Sequence, residues 1–251
     1  MIDRKAVEEA FAAYAALYDA EDPKIKLKIF HTYRVASLAE SIAQSIGMEN
    51  TDLIWLCGML HDIGRFEQVK RYGTFSDAAS VDHAAFGADL LFKEGLLDKF
   101  CTLGAEEKGL LELAIRSHSL YRLPEGLTEE ERTYCNILRD ADKVDIFRVN
   151  VETPTEDIYN VTTYELKHSP ISPEVKQCFL DRHAVLRSLK KTPADFLVGH
   201  ICLTFELVYP KSREAAKEQG FVDRLLAFES DEEDTRNFFS YMRSHVWDQH
   251  F

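Results

Sequence analysis

The chain has 251 residues, 45% of them hydrophobic, and its 43 acidic against 30 basic residues leave a formal net charge of −13. That is enough apolar material for one sizeable core, and too much for a disordered chain. The charge excludes the broadly basic surface that binds nucleic-acid polymers, but not a small phosphorylated molecule, for which one or two local cations suffice.

The N-terminus, Met1-Ile2-Asp3-Arg4-Lys5, is charged and has no signal-peptide core. The longest apolar run, residues 53–60, is eight residues long, far short of the roughly 20 that a membrane span needs. Five cysteines, Cys57, Cys101, Cys135, Cys178 and Cys202, are odd in number and form no CxxC pair. Reduced thiols, a cytoplasmic location and no membrane partner are therefore expected.

Helical periodicity dominates the chain in order. Residues 3–18 form an Ala-rich helix pattern, broken by Asp22-Pro23. Pro23 suits the first turn of a second helix, whose stripe Leu27, His31, Val35, Leu38, Ile42, Ile46 repeats at spacings of 4, 4, 3, 4 and 4 and stops at Gly47. Thr51-Asp52 caps a short apolar helix over residues 53–60. Further helices are predicted over residues 82–94, ended by Gly95, and over residues 106–118. Thr128 and Glu131 make a capping box that opens a long helix to about residue 149. Pro154, Pro170 and Pro173 then punctuate short elements, and helix patterns return over residues 193–208, 212–228 and 231–246. No run of alternating strands with hairpin dipeptides is present, so the fold class is all-α, read as a single domain over residues 1–251.

Polar residues interrupt the inward faces of five of these segments. His31 lies in the second helix's stripe, and His61-Asp62 closes the apolar run. His83 shares a face with Phe86 and Leu90, His118 continues Leu111 and Ile115, and Asp142 lies one turn after Leu138. Buried imidazoles and carboxylates each need compensation. One is ordinary; several converging in a helical bundle are most simply satisfied by one or two metal ions. Such a donor set suits Fe, Mn, Zn, Ni or Co, with Mg less favoured. His168, His183 and His200 lack a matching partner spacing and read as structural, while His245 and His250 lie in the tail. No Gly-rich nucleotide loop, Gly-x-Ser-x-Gly elbow or CxxC zinc pattern occurs.

The order His31, His61-Asp62, Asp142 resembles the HD superfamily of metal-dependent phosphohydrolases. Leu60-His61-Asp62-Ile63-Gly64-Arg65 is similar to that family's His-Asp-Ile-Gly segment, and Arg139-Asp140-Ala141-Asp142-Lys143 to its closing Asp motif. The resemblance covers roughly residues 25 to 150 and implies an HD-like helical core over about 22–150 with a C-terminal helical extension over about 151–251. It implies a first metal held by His31, His61, Asp62 and Asp142, and a second held by bridging Asp62 with His83 and His118. Where many two-metal members have adjacent histidines this chain has Ser117-His118-Ser119, so a weaker second site is expected. Asp140 and Asp145 are expected to support ligand imidazoles.

The implied reaction is hydrolysis of a phosphoester on a small phosphorylated molecule such as a nucleotide, by metal-activated water. Asp62 and Arg65 are the catalytic candidates, and Arg65 and Lys143 the substrate-binding ones. The cyclic-dinucleotide subtype with a Gly-Tyr-Pro signature fits poorly, since Leu120-Tyr121-Arg122-Leu123-Pro124 follows His118. The guanosine-alarmone hydrolases share only the metal motif. A di-iron oxygenase and a non-catalytic metal- or nucleotide-binding module are the alternatives. Residues 151–251 complete the bundle, lid the pocket or build a homo-oligomer interface; the sequence leaves these open.

Overall fold

The computed structural model describes residues 2–159 and 161–248, with the side chains of residues 157 and 158 excepted. No strand occurs among them, and the fold is all-helical as expected. Two compact units divide at Asp142 and Lys143, inside one long helix.

The first unit begins with α1 (Arg4–Ala15), capped by the Asp3 carboxylate on the Ala6 amide, and α2 (Pro23–Ser45), capped by Asp22 with Pro23 at its first turn. Next comes α3 (Asp52–Leu60), every residue of which after Asp52 is buried. It packs on α2 at Gly58, where an added Cβ would lie 2.4 Å from the Ala36 Cα, so only glycine permits this approach. A helix that the periodicity did not predict follows, α4 (Ile63–Tyr72), burying Ile63, Phe66, Gln68 and Val69. Its anchor is aromatic: Phe11 and Tyr14 of α1 meet Phe66 edge-on at 5.8 and 5.7 Å, and the Tyr14 hydroxyl donates to the Ile63 carbonyl at 3.3 Å.

The segment predicted as one helix over residues 82–94 is α5 (His83–Ala88), capped by Asp82, continuing as a π-helical turn over Asp89–Lys93. There the Glu94 amide bonds the Asp89 carbonyl at 3.0 Å, five residues back, and Gly95 ends the element at φ +75°. Then come α6 (Ala105–Ser117) and α7 (Glu129–Glu152), the latter opened by the expected Thr128–Glu131 box.

In the second unit, α8 (Thr155–Tyr159), α9 (Thr163–Lys167) and α10 (Pro173–Leu180) are short. The helix pattern over residues 193–208 is α11 (Pro193–Ile201) followed by a 3-10 turn, Cys202–Glu206. That over 212–228 is two helices, α12 (Pro210–Gln219) and α13 (Phe221–Leu226), parted by Gly220 at φ +68°. The last is α14 (Glu233–His245). Asp195 is a buried carboxylate that ties this unit together, accepting from the amides of Ser172, Lys191 and Thr192 and from the Ser172 hydroxyl. No helix among the described residues is long and apolar enough to cross a membrane.

Candidate metal centre

All six residues implied as ligands come together in the first unit. His31 projects from α2, His61 and Asp62 from the junction of α3 and α4, His83 from the first turn of α5, His118 from the end of α6, and Asp142 from α7. The four imidazoles and Asp62 are buried. The His31 Nε2 stands 3.2 Å from the His61 Nε2 and 3.1 Å from the Asp142 Oδ1. Both imidazoles lie 3.5 Å from the Asp62 Oδ2. On the other side of the same carboxylate, His83 and His118 lie 3.5 and 3.8 Å from Oδ1, with their Nε2 atoms 3.0 Å apart. Two buried triads, His31-His61-Asp62 and Asp62-His83-His118, therefore share Asp62, one through each oxygen.

Backbone geometry aims these rings. The Nδ1 of His61 faces the Gly58 carbonyl at 2.8 Å and that of His118 the Ile115 carbonyl at 2.7 Å. A carbonyl only accepts, so each Nδ1 carries the proton and each Nε2 presents a lone pair to the centre. His83 is fixed by a carboxylate instead, with Nδ1 2.7 Å from the Asp77 Oδ2. Arg139 on α7 holds the end of α6 beside His118 by donating to the carbonyls of Ser117 and Leu120 at 3.0 and 2.5 Å. Gly64 brings α4 against α5: a Cβ there would lie 2.6 Å from the His83 carbonyl oxygen and 2.7 Å from the Gly87 nitrogen. The glycine of the His-Asp-Ile-Gly segment thus sets how near His83 comes to Asp62.

The protonation states leave a deficit of positive charge. Burial, then the neighbouring His83 and His61, lowers His118 to about 3. His83 is lowered too, by burial and then the Arg65 charge. At neutral pH neither Nε2 holds a proton, so two lone pairs face one another. Burial by itself would raise the Asp62 carboxyl, but the Lys28 charge, the largest opposing cause, holds it well below the usual range. Asp142 is likewise lowered, the His31 hydrogen bond opposing the effect of burial. The Asp62 Oδ1 is buried without a hydrogen-bond partner. Colliding lone pairs and an orphaned carboxylate oxygen are what a divalent cation satisfies, so the donor set fits one or two metal ions.

The candidate substrate contacts are placed differently. Arg65 donates from Nη1 to the Gln68 Oε1, the Phe75 carbonyl and the Asp77 Oδ1 at 2.7, 2.8 and 2.8 Å. Its buried Nε lies 3.7 Å from the Asp62 Oδ1, without a hydrogen-bond partner. Lys143 follows Asp142 on α7 and is buried, as are Asp140 and Asp145. Two residues at the centre had no sequence motif to mark them, Lys28, whose Nζ stands 2.5 Å from the Asp62 Oδ2, and Asp77. In the second unit the Nδ1 of His168, His183 and His245 face the carbonyls of Tyr164, Ala184 and Tyr241, and that of His200 meets the Tyr159 hydroxyl. His250 lies outside the described residues.

An all-α domain with imidazoles and carboxylates gathered on one shared aspartate defines a class of helical domain whose core could hold one or two metal ions. Residues 29–146 are an HD domain: the family model of the HD domain matches that segment, and further helices follow beyond it. No curated protein and no solved structure matches the chain. An HD domain with both His/Asp triads intact is consistent with a metal-dependent phosphohydrolase.

Proposed function

We propose that the protein is a metal-dependent phosphohydrolase, a phosphatase or phosphodiesterase, acting on a small phosphorylated substrate such as a nucleotide. The observation that carries this reading is the pair of buried triads sharing Asp62, set within the HD domain. His31, His61, Asp62 and Asp142 would hold one divalent ion, and Asp62, His83 and His118 a second. Such ions, when bound, lower the pKa of a coordinated water from 15.7 toward about 7 and polarise a phosphoryl oxygen.

The chain's own groups supply the rest. The Nδ1 contacts to Gly58, Ile115 and Asp77 lock three imidazoles in the metal-binding tautomer before any ligand arrives. Asp62, held ionised, offers one oxygen to each triad. Arg65 braces Asp77, and thereby His83, through Nη1; its phosphate contact falls to the remainder of the guanidinium. Lys143 is the secondary candidate for that contact.

The test is a screen of phosphomonoesters and phosphodiesters with metal-stripped protein reloaded with Mn²⁺, Fe²⁺, Co²⁺ or Mg²⁺. Hydrolysis is expected with at least one metal, and a fall of about 10³-fold or more in His61→Ala and Asp62→Ala proteins that keep their circular dichroism. A wild-type protein that binds metal yet hydrolyses nothing across the panel would sink the reading and leave a binding module.

A further inference from the structure

Lys28 lies one turn before His31 on α2, with its side chain only 13% exposed. Its Nζ contacts the Asp62 Oδ2 at 2.5 Å, and that oxygen is the one 3.5 Å from both His31 and His61. The ammonium thus sits at the carboxylate oxygen belonging to the first triad, while Oδ1, belonging to the second, has no hydrogen-bond partner. A lysine and a divalent ion cannot share that oxygen closely, because like charges a few ångströms apart in a buried site repel strongly.

Phe75 adds a second observation. The Lys28 Nζ and the Arg65 Cζ lie 5.4 and 5.5 Å from its ring centroid. Arg65 is tied down by three hydrogen bonds from Nη1. Among the described residues the Lys28 ammonium has Asp62 as its one hydrogen-bond partner. Of the two cations, Lys28 is the one on a flexible four-carbon stem with a single tie, free to change partners.

We propose that Lys28 is an exchangeable cation of this centre: it neutralises Asp62 in the metal-free protein, leaves that oxygen when metal binds, and then pairs with the phosphoryl group of the substrate. The last step rests on the phosphohydrolase reading; the displacement does not. Removing Lys28 therefore has two effects of opposite sign. Metal binding no longer competes with an internal ion pair, and the metal-loaded site loses a phosphate contact.

The experiment is calorimetric titration of metal-stripped wild type and Lys28→Met with Mn²⁺ alone, then of both Mn²⁺-loaded proteins with inorganic phosphate. The expected result is Mn²⁺ binding about tenfold tighter and phosphate binding about tenfold weaker in the variant. Lost packing would weaken both. Reductive methylation of wild type, read by mass spectrometry, needs no variant: Lys28 is expected to react slowly without metal, faster with Mn²⁺, and slowly again once phosphate is added. Unchanged or weaker Mn²⁺ binding in Lys28→Met, or a labelling rate indifferent to Mn²⁺, overturns the proposal. Unaltered phosphate affinity in a variant of a phosphoester-hydrolysing wild type overturns the phosphate step alone. Displacement of Lys28 in a protein that neither binds phosphate nor hydrolyses any ester supports the exchange and defeats the phosphohydrolase reading.

Discussion

Desolvated histidines occur in both units of this chain, and they end differently. His118 in the first unit and His200 in the second are both lowered to about 3, chiefly by burial, with His83 and His61 adding to it for His118 and Lys190 for His200. By that measure they are alike. Yet the His200 Nδ1 meets the Tyr159 hydroxyl, a group able to donate or accept, at 3.3 Å, whereas the Nε2 of His118 meets another lone pair, that of His83, at 3.0 Å. What separates a metal centre from a packed histidine is a missing positive charge, and neither burial nor a shifted pKa alone reveals it.

The comparison breaks most readily at Asp77, the carboxylate behind His83. If the second triad holds an ion, Asp77→Asn weakens that ion by about 10- to 100-fold, because the amide no longer raises the basicity of the imidazole. Metal analysis after dialysis should show the stoichiometry falling toward one, with His31, His61 and Asp142 still loaded. Two ions retained with unchanged affinity would mean that His83 is no more a ligand than His200. A smaller effect is expected at Gly64. Gly64→Ala forces a Cβ against the His83 carbonyl and the Gly87 nitrogen, which are backbone atoms that cannot swing aside. Thermal or denaturant unfolding should register a loss of about 1–3 kcal/mol, accompanied by weaker metal binding as α5 moves. Equal stability with full metal affinity would show that the α4–α5 approach does not set the site.

How much of this is legible in the sequence follows from which interactions are local. The six converging residues were readable because each stands at a fixed step along its own helix, His31 on the stripe of α2 and His118 on the face of Leu111 and Ile115. The Thr128–Glu131 capping box was readable for the same reason. Lys28 was not, since Lys24-Ile25-Lys26-Leu27-Lys28 alternates and looks like a solvated lysine run; only the crossing of α2 with the α3–α4 junction puts its ammonium on Asp62. Asp77 lies in an aperiodic loop, and a 3-10 turn over Asp77–Ala79 folds it back onto His83. α4 was hidden by Gly64 in its first turn, where glycine weakens helix propensity; what sustains the helix is burial of Ile63, Phe66 and Val69, with Phe66 set against the distant rings of Phe11, Tyr14 and Tyr18. The halving of the 212–228 pattern turns on Gly220, whose positive φ ends α12 although the apolar rhythm runs on.

The smallest effect tests the other side of the comparison. If His200 is a satisfied structural imidazole, His200→Gln leaves metal content and any phosphoesterase activity at wild-type levels. Its signature lies in the pH dependence of stability. The folded protein keeps His200 neutral down to about pH 3, against an ordinary value of 6.5, so between those values the unfolded chain binds the extra proton. Stability then rises with pH, and the contribution is complete above about 6.5 and lost progressively as pH falls below it. Between pH 7 and pH 5 the wild type should lose about 1–2 kcal/mol more than His200→Gln, discounted for partial exposure of the ring. Urea unfolding of both proteins at the two pH values measures this difference directly, and the histidines of the metal centre, common to both, cancel. Parallel losses in the two proteins would show that His200 is not held neutral by the fold. A fall in metal content in the variant would show instead that the second unit's histidine and the metal centre are not independent.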